Sequence, residues 1–541
     1  MPRRLLRLLA PLAVIALPAI LPAQTLVIVT GREVLSPVPT LWKNDQSNRE
    51  ISDLMFLRLA DLGPALRTTD ERAFVPRLAR RWVRRDSLTL AFELDPRARW
   101  HDGVPVTPAD VILSFRRAAD RALTPQLSTL LGRIVSMEAE GERTVVVRFR
   151  EVYAEQFYDA TYQAPPLPAH LLARIPAESL ATSAFARAPV GNGPYRWVGR
   201  TPGQRLELRA DTAFFLGRPG IQRIVQLVVP DGEVRVNLLR TGEADAVDNV
   251  YALPNFARVE RLPEYAYHPA PTLGLGYADF NFRDPADSTR PHPLFRDPAV
   301  RRALVLALDR TALAKAAYGS FTMAPDAPLS PIVARGVTSP PVTPHDPAAA
   351  RRLLAGAGWR DSDGDGVLDK AGRALRFRFM VPSISPARIQ VATQMQEAWR
   401  QLGIAAEIER VEPGVFMDRR GKGQYDLEFW GVSQDPTPSS LVQTWSCGGI
   451  GGTNVSHYCN PMVDTLLARG TRSPAAEAAA LWSRAVRLIA DDVPAIFLYA
   501  QVGSTAVHRR FTNVTIRPES VWSTAWQWRL RPGQALPRDG P

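Results

Sequence analysis

An aromatic residue and an acid lie close together in a proline-rich segment of the C-terminal half of the chain. The segment 430–438 contains Trp430, Ser433 and Asp435, just past a predicted parallel strand. An indole ring can form one wall of a ligand pocket, and a carboxylate can pair with a cationic group of a ligand. Trp445 is a further ligand-binding candidate in this region. A rigid turn around a buried tryptophan explains the segment equally well, so both interpretations stay open.

A second group of acids has the spacing of a calcium-binding loop. Asp361, Asp363, Asp365 and Asp369 occupy its first, third, fifth and ninth positions. The twelfth position is Gly372, so the bidentate carboxylate that fixes calcium is missing. A solvated acidic turn accounts for the same residues. We predict no metal site and keep calcium as an alternative.

Sequence motifs of the common enzyme classes are absent. The chain has no GxSxG motif, no phosphate-binding P-loop, no HExxH and no dinucleotide-binding glycine pattern. Its seven histidines are dispersed, and its two cysteines cannot form a thiolate zinc site. We therefore predict a protein that is not an enzyme and has no cofactor. Because catalytic residues can be remote in sequence, a secreted hydrolase with a scattered triad stays open as a rival.

Residues 1–23 have the three parts of a secretory signal peptide. Arg3, Arg4 and Arg7 form a basic start, an apolar stretch follows, and a small residue precedes the expected cleavage point before Gln24. A membrane anchor is the alternative, but a spanning helix needs about 20 apolar residues, and this stretch is shorter and contains prolines. The residue directly after the cleavage point is Gln24 and not a cysteine. We predict a periplasmic protein that is neither a lipoprotein nor stably inserted in a membrane.

Export makes a disulfide plausible, because the compartment beyond the membrane is oxidising. Cys447 and Cys459 flank a short glycine-rich segment. Their spacing is not that of a CxxC redox pair, so we predict a structural bridge. Closing a loop of this length should stabilise the folded protein by roughly 3 kcal/mol, because it lowers the entropy of the unfolded chain.

Composition and charge exclude two further classes. The 541 residues are 45% hydrophobic and 22% charged, which is typical of a globular chain and not of a disordered one. Loss of the signal peptide removes three arginines and no acid, and lowers the net charge from +12 to +9. The arginines are scattered among acids without a long basic run. We therefore predict no nucleic-acid partner.

Strand and helix patterns alternate along the chain and predict an α/β fold. The clearest unit is 375–431, where alternating apolar residues, a helical pattern ending at Gly403, and two more strand patterns give strand–helix–strand–helix–strand. Such a unit forms a mostly parallel sheet, and ligands bind beyond the carboxyl ends of its strands. Asp297-Pro298 and Asp346-Pro347 are predicted to begin two further helices.

An ordered set of motifs resembles the family 5 extracellular solute-binding proteins, the periplasmic dipeptide-, oligopeptide- and nickel-binding components of ABC importers. The best block, FELDPRARWHDGVPVTPADV at 92–111, is similar to the family pattern F-x-L-R-x-G-x-x-F-H-D-G-x-P-x-T-A-x-D-V. The other similar segments, in the family's order, are 75–82, 189–195, 239–245, 295–310, 363–366, 454–464 and 494–499.

The resemblance implies a two-lobed fold of periplasmic-binding-protein type (class II), with a hinge and an extra inserted domain. We expect lobe I at 24–62, 189–276 and 500–541, the inserted α/β domain at 63–188, and lobe II at 277–499. The implied function is capture of oligopeptides by hinge closure and delivery to the permease subunits of an ABC importer, by a monomer. The same fold could instead bind a nickel chelate, an oligosaccharide or an amine conjugate.

One departure from the family concerns the ligand's amino group. In the peptide-binding members, an aspartate three residues after the tryptophan of this strand pairs with the α-amino group; here that residue is Ser433. A neutral serine cannot replace the charge-assisted bond that a buried ammonium needs. Asp435 either substitutes for it or corresponds only to an Asp-Pro turn of the family.

Overall fold

The computed structural model describes residues 24–41, 46–120, 123–124, 127–128, 131–249, 253–319, 322–323 and 328–540. The predicted signal peptide, residues 1–23, lies outside the described residues. Strands and helices alternate along the chain, with short 3-10 turns between them. In the described residues, no helix combines the length and the apolar composition that a membrane span requires.

The strands and helices are numbered in chain order. The strands β1 to β23 are Thr25–Thr30, Ala60–Leu62, Phe74–Pro76, Ala79–Asp86, Thr89–Leu94, Ile134–Glu140, Thr144–Phe149, Tyr195–Thr201, Arg205–Ala210, Arg223–Val228, Ala246–Val247, Tyr265–Phe280, Arg283–Asp284, Asp287–Pro291, Thr322–Met323, Asp369–Lys370, Arg373–Ala374, Arg376–Pro382, Ala405–Val411, Leu427–Ser433, Ala495–His508, Phe511–Thr512 and Arg529–Leu530. The helices α1 to α15 are Gln46–Met55, Pro108–Ala118, Gln156–Thr161, Ala169–Leu172, Ala184–Arg187, Gly232–Arg240, Leu253–Glu260, Pro298–Leu306, Arg310–Tyr318, Pro347–Gly356, Pro386–Arg400, Pro413–Gly421, Ser440–Trp445, Pro461–Arg472 and Ala475–Asp492.

One large sheet runs through the molecule. Its strand order is β19-β18-β20-β12-β21-β11-β1-β10-β9-β8, and β15 also pairs with β21. The strands β12 and β21, of 16 and 14 residues, are antiparallel partners, and their register shifts between Pro271 and Leu275. On one side of the shift β12 pairs with β20, and on the other β21 pairs with β11. This two-stranded ribbon therefore connects the two halves of the sheet.

The lobe boundaries that we expect at 276/277 and 499/500 fall inside β12 and β21. The division of the chain into lobes stays a prediction.

The predicted strand–helix–strand–helix–strand unit is present. In chain order it consists of β18, α11, β19, α12 and β20, and β18 is parallel to both β19 and β20. Helices cover both faces of this half of the sheet. The face that carries Phe379 and Phe429 packs on α8 and α11, and the opposite face packs on α12. The alternation of apolar side chains along each strand is the local reason for both faces.

The predicted helix starts are also confirmed. The carboxylate of Asp297 accepts a hydrogen bond from the amide of Ala299 at 2.9 Å, and that of Asp346 accepts from Ala349 at 2.8 Å. Each aspartate satisfies a backbone donor that a helix start leaves unpaired.

A second, four-stranded sheet has the strand order β4-β5-β7-β6. The His-Asp-Gly motif at 101–103 follows β5 and is hydrogen-bonded to the segment that leads into β8. The His101 amide donates to the Gly191 carbonyl at 2.8 Å, and a ring nitrogen lies 2.9 Å from the Gly193 carbonyl. Burial lowers the pKa of His101 to about 4. The motif therefore has a structural role, with a neutral imidazole at physiological pH.

A buried ion network ties the two ends of the described chain together in the half of the sheet around β1. Arg510 and Asp539 are 1% and 0% exposed. The Arg510 guanidinium binds Asp245 at 2.7 Å, Asp539 at 2.5 Å and the Thr25 carbonyl at 2.7 Å. The Thr25 amide donates to Asp539 at 2.8 Å. The first strand of the sheet is thus held by a residue close to the C-terminus.

Candidate functional site

The candidate site lies at one edge of the large sheet. The parallel strands β18 and β20 end at Pro382 and Ser433, so the first turn of α11 and the segment that follows β20 meet at this edge. In sheets of this kind the edge beyond the carboxyl ends of the strands is where ligands bind.

Trp430 is half-buried at this edge. Its ring stacks on Phe416 of α12, with centroids 5.1 Å apart and planes at 27°. The guanidinium carbon of Arg388 lies 5.2 Å from the Trp430 ring centroid. The indole is therefore held by one aromatic neighbour and one cation, and the exposed remainder of the ring is available as a wall.

Arg388 is a site residue that sequence reasoning missed. It lies in the first turn of α11, and within the part of the chain that the structure describes its buried Nε atom has no hydrogen-bond partner. A Cβ at Gly431 would lie 2.7 Å from Arg388 Nη2, so glycine there leaves room for the guanidinium beside the strand. The signal in the sequence was a cation in a first helical turn, which the helix dipole disfavours. A guanidinium placed in this way can bind a carboxylate with two hydrogen bonds.

Ser433 and Asp435 occupy different environments. Ser433 is exposed and lies opposite Gly274 of β12. Asp435 Oδ1 lies 3.7 Å from Arg49 Nη2, and the two side chains are 31% and 19% exposed. Because Arg49 belongs to α1 and Asp435 follows β20, this ion pair joins α1 to the segment that follows β20.

Two tyrosines of α3 and its end lie beside the Arg49–Asp435 ion pair. The rings of Tyr158 and Tyr162 stack with centroids 5.0 Å apart, and the Arg58 guanidinium carbon lies 4.2 Å from the Tyr162 ring centroid. Burial, with a further contribution from Asp435, raises the pKa of Tyr158 well above its ordinary value. Burial alone would lower the pKa of Arg49, but Tyr162 and Asp435 raise it above its usual value. Arg49 is therefore cationic and Tyr158 neutral at any physiological pH.

Trp445 lies in the core and not at the site. It is 1% exposed, and its ring centroid is 5.8 Å from that of Tyr277 and 5.7 Å from that of Phe497. These aromatic neighbours cover its ring at the end of α13. A ligand-binding role for Trp445 stays a prediction.

The predicted disulfide is present between Cys447 and Cys459, with Cα atoms 4.5 Å apart. The Cys447 amide donates to Asp464 at 2.9 Å, and Asn454 Nδ2 donates to the Ser446 and Tyr458 carbonyls, each at 2.8 Å. The bridge therefore closes a loop that already has internal hydrogen bonds, next to the helix of Trp445.

The acidic loop is organised by its own backbone. The carboxylate oxygens of Asp361, Asp363 and Asp365 lie within 4.8 Å of one another and are exposed. Asp361 accepts hydrogen bonds from the amides of Gly364 and Gly366, at 2.8 and 3.1 Å. The fourth acid, Asp369, accepts from Ser362 at 2.6 Å. These bonds account for the loop as a solvated turn.

Comparison with known proteins gives consistent results. The chain matches the family described as bacterial extracellular solute-binding proteins, family 5 Middle, over residues 73–452. It is 24% identical to the oligopeptide-binding protein AppA of Bacillus subtilis over 504 residues, which are 91% of this chain and 89% of AppA. A solved structure of AppA with a nonapeptide has a TM-score of 0.78 at 23% identity, covering 94% of this chain and 100% of that one. NikA of Brucella suis with Fe(III)-EDTA has a TM-score of 0.81 at 17% identity, with the same coverage.

The structural likenesses confirm the predicted fold class, α/β with two lobes of periplasmic-binding-protein type. The family match spans more than half of the sequence. This chain belongs to the bacterial extracellular solute-binding proteins of family 5.

Proposed function

We propose that this protein captures oligopeptides between two lobes in the periplasm and delivers them to the permease subunits of an ABC importer. The observation that carries this proposal is the edge beyond β18 and β20, where a half-buried indole lies beside a cation. Family membership supports it, as does the name of the similar AppA protein. A peptide offers a matching set of groups: apolar side chains, one carboxylate and one ammonium.

Each site residue has a proposed role. Trp430 forms a wall for apolar parts of the ligand, and Arg388 binds the carboxylate. Asp435 takes the role of the amine-binding aspartate, because Ser433 stands at that position in this chain. The ligand's ammonium must then compete with Arg49 for the carboxylate of Asp435. The Arg49–Asp435 ion pair is long at 3.7 Å and partly exposed, so a well-placed ammonium can compete with Arg49 for the carboxylate.

The same geometry supports closure around the ligand. The β12–β21 ribbon, with its register shift between Pro271 and Leu275, is the proposed hinge. Ligand shifts the equilibrium toward the closed form only if it contacts both lobes, since equal affinity for both forms shifts nothing. A ligand that binds Arg388 and Trp430 on one side and meets α1 on the other satisfies that condition.

The test is the identity and the chemistry of the ligand. Mass spectrometry of material released from protein purified from the periplasm should show peptides; only sugars or a metal chelate would refute the peptide assignment. A peptide so identified should lose affinity when its C-terminus is amidated, and Arg388→Gln should abolish that difference. Arg352→Gln, an exposed arginine in the same predicted lobe, is the matched control and should leave the difference intact.

Two rivals have defined outcomes. A chelate binder is suggested by the NikA structure with Fe(III)-EDTA, and calorimetry with nickel–histidine would detect it. A secreted hydrolase would cleave peptide or ester substrates and lose that turnover on a single serine substitution, whereas binding without turnover would reject it.

A further inference from the structure

Two buried carboxyl groups and one arginine lie beside Trp430, on the sheet face that α12 covers. Asp279 of β12 and Glu428 of β20 are opposite each other in the antiparallel register and are 3% and 0% exposed. Arg420 of α12 donates from Nε to Glu428 Oε1 at 2.6 Å, and its Nη2 lies 4.0 Å from Asp279 Oδ2. We call these three residues the carboxyl anchor.

The carboxyl anchor has one cation for two acids. The titratable groups that face it from the surrounding elements are Tyr277 of β12 and Tyr425 before β20, and burial raises the pKa of each well above its ordinary value. On this face β18 contributes Met380, and β19 contributes Val411 together with Glu409, whose carboxylate pairs with Arg419 of α12 at 2.7 Å. Burial, and then the neighbouring Glu428, raises the pKa of Asp279; burial also raises the pKa of Glu428. Two buried carboxylates beside one guanidinium repel each other, so the pair retains one proton.

The carboxyl anchor and the ligand wall are coupled through α12. Phe416 and Arg420 are four residues apart on this helix and therefore share one face. Trp430 and Glu428 are two residues apart on β20, so both lie on the face of the strand that is turned toward α12. The helix thus contacts the strand at two points: Phe416 stacks on Trp430, and Arg420 pairs with Glu428.

We propose that Arg420, Glu428 and Asp279 form a proton-sharing anchor that positions α12, and through Phe416 the Trp430 ring, for ligand binding. Loss of the shared proton at alkaline pH leaves two carboxylates for one arginine and loosens the helix. This inference rests on the proposed role of Trp430 as a ligand wall. Arg420 is a positioning residue, because it acts through Phe416 and does not contact the ligand.

The direction of the pH effect follows from the raised pKa values. A carboxyl group whose pKa is higher in the folded state than in the unfolded chain contributes most stability at low pH, and that contribution is lost as pH rises through the folded-state pKa. The packing of α12 should therefore weaken as pH rises from the ordinary carboxyl range into the alkaline range.

Hydrogen exchange of residues 413–421, measured on the purified full-length protein by mass spectrometry and corrected for the intrinsic rate, tests this directly. Between about pH 5 and about pH 9.5 the protection of α12 should fall at least tenfold in the unmodified protein. In Asp279→Asn the side-chain amide still donates toward Glu428 and does not lose a proton in this range. The protection of α12 in this variant should therefore stay constant. Equal pH profiles for the two proteins would overturn the inference.

A neighbouring arginine of α12 provides the matched control. Arg419 pairs with Glu409 of β19 at 2.7 Å and does not reach the carboxyl anchor. Arg420→Gln should expose Trp430 to acrylamide quenching, measured as the difference from the same protein carrying Trp430→Phe, whereas Arg419→Gln should not. If both variants behave alike, Arg420 has no special role. If Arg420→Gln does not fold, Asp279→Asn still decides the question.

A ligand measurement separates this inference from the proposed function. If Trp430→Ala leaves the affinity for the co-purified peptide unchanged, the proposed wall fails, whatever the carboxyl anchor does. If Trp430→Ala lowers the affinity but the unmodified protein and Asp279→Asn bind equally at alkaline pH, only the carboxyl anchor fails.

Discussion

Replacement of Arg510 by methionine should destabilise the half of the sheet around β1 strongly. The guanidinium is 1% exposed, and it binds Asp245, Asp539 and the Thr25 carbonyl. Methionine fills a similar volume but removes the charge, so two buried carboxylates lose their main partner. Removal of one member of a buried ion pair costs about 3–5 kcal/mol.

The remaining contacts set where in that range the effect falls. Asp245 retains Arg538 and the Val27 amide at 2.9 Å, and Asp539 retains the Thr25 amide at 2.8 Å. These contacts leave both acids hydrogen-bonded, so we expect the loss to be near 4 kcal/mol and not beyond the range. For a chain of 541 residues the unfolding entropy is about 1 kcal/mol per kelvin, so Tm should fall by about 4 °C.

The assay is urea unfolding combined with scanning calorimetry. Arg509→Met is the control, because Arg509 is the exposed neighbour and should contribute less than about 0.5 kcal/mol. A loss for Arg510→Met no larger than that for Arg509→Met would refute the reasoning.

Three further predictions concern the site and the fold. Trp430→Ala should lower peptide affinity at least about tenfold in a calorimetric titration, with Tm nearly unchanged, because the ring is only half-buried; a large fall in Tm at constant affinity would show that Trp430 is a core residue. Replacement of both Cys447 and Cys459 by serine should lower the free energy of unfolding by about 3 kcal/mol in urea, and an unchanged midpoint would contradict the predicted structural role of the bridge. Burial lowers the pKa of His101 to about 4, so its contribution to the free energy of unfolding should be complete above the unfolded-state pKa and should fall as pH drops toward 4. His101→Gln should remove up to about 3 kcal/mol of this acid sensitivity. Urea unfolding across that pH range measures the difference.

Local patterns determined a large part of this fold. The alternation of apolar residues and the helix starts at Asp297 and Asp346 depend on neighbours within a few residues, so the sequence alone predicted the unit β18–α11–β19–α12–β20. The Cys447–Cys459 bridge was equally predictable, because its partners are only 12 residues apart and no other cysteine competes. Burial of one strand face and closure of a short loop are short-range consequences of residue type and spacing.

The contacts that define the site were decided only by tertiary structure. The partner of Asp435 is Arg49, Arg388 reaches Trp430 from another element, and Trp445 turns into the core although it is close to Trp430 in sequence. The strand that begins at Thr25 is likewise held by Asp539, 514 residues away. Spacing along a chain says nothing about such pairs, because the packing of whole elements sets the distances between them. The sequence therefore determined which elements form and which family the chain resembles, and the three-dimensional packing determined which charges face one another.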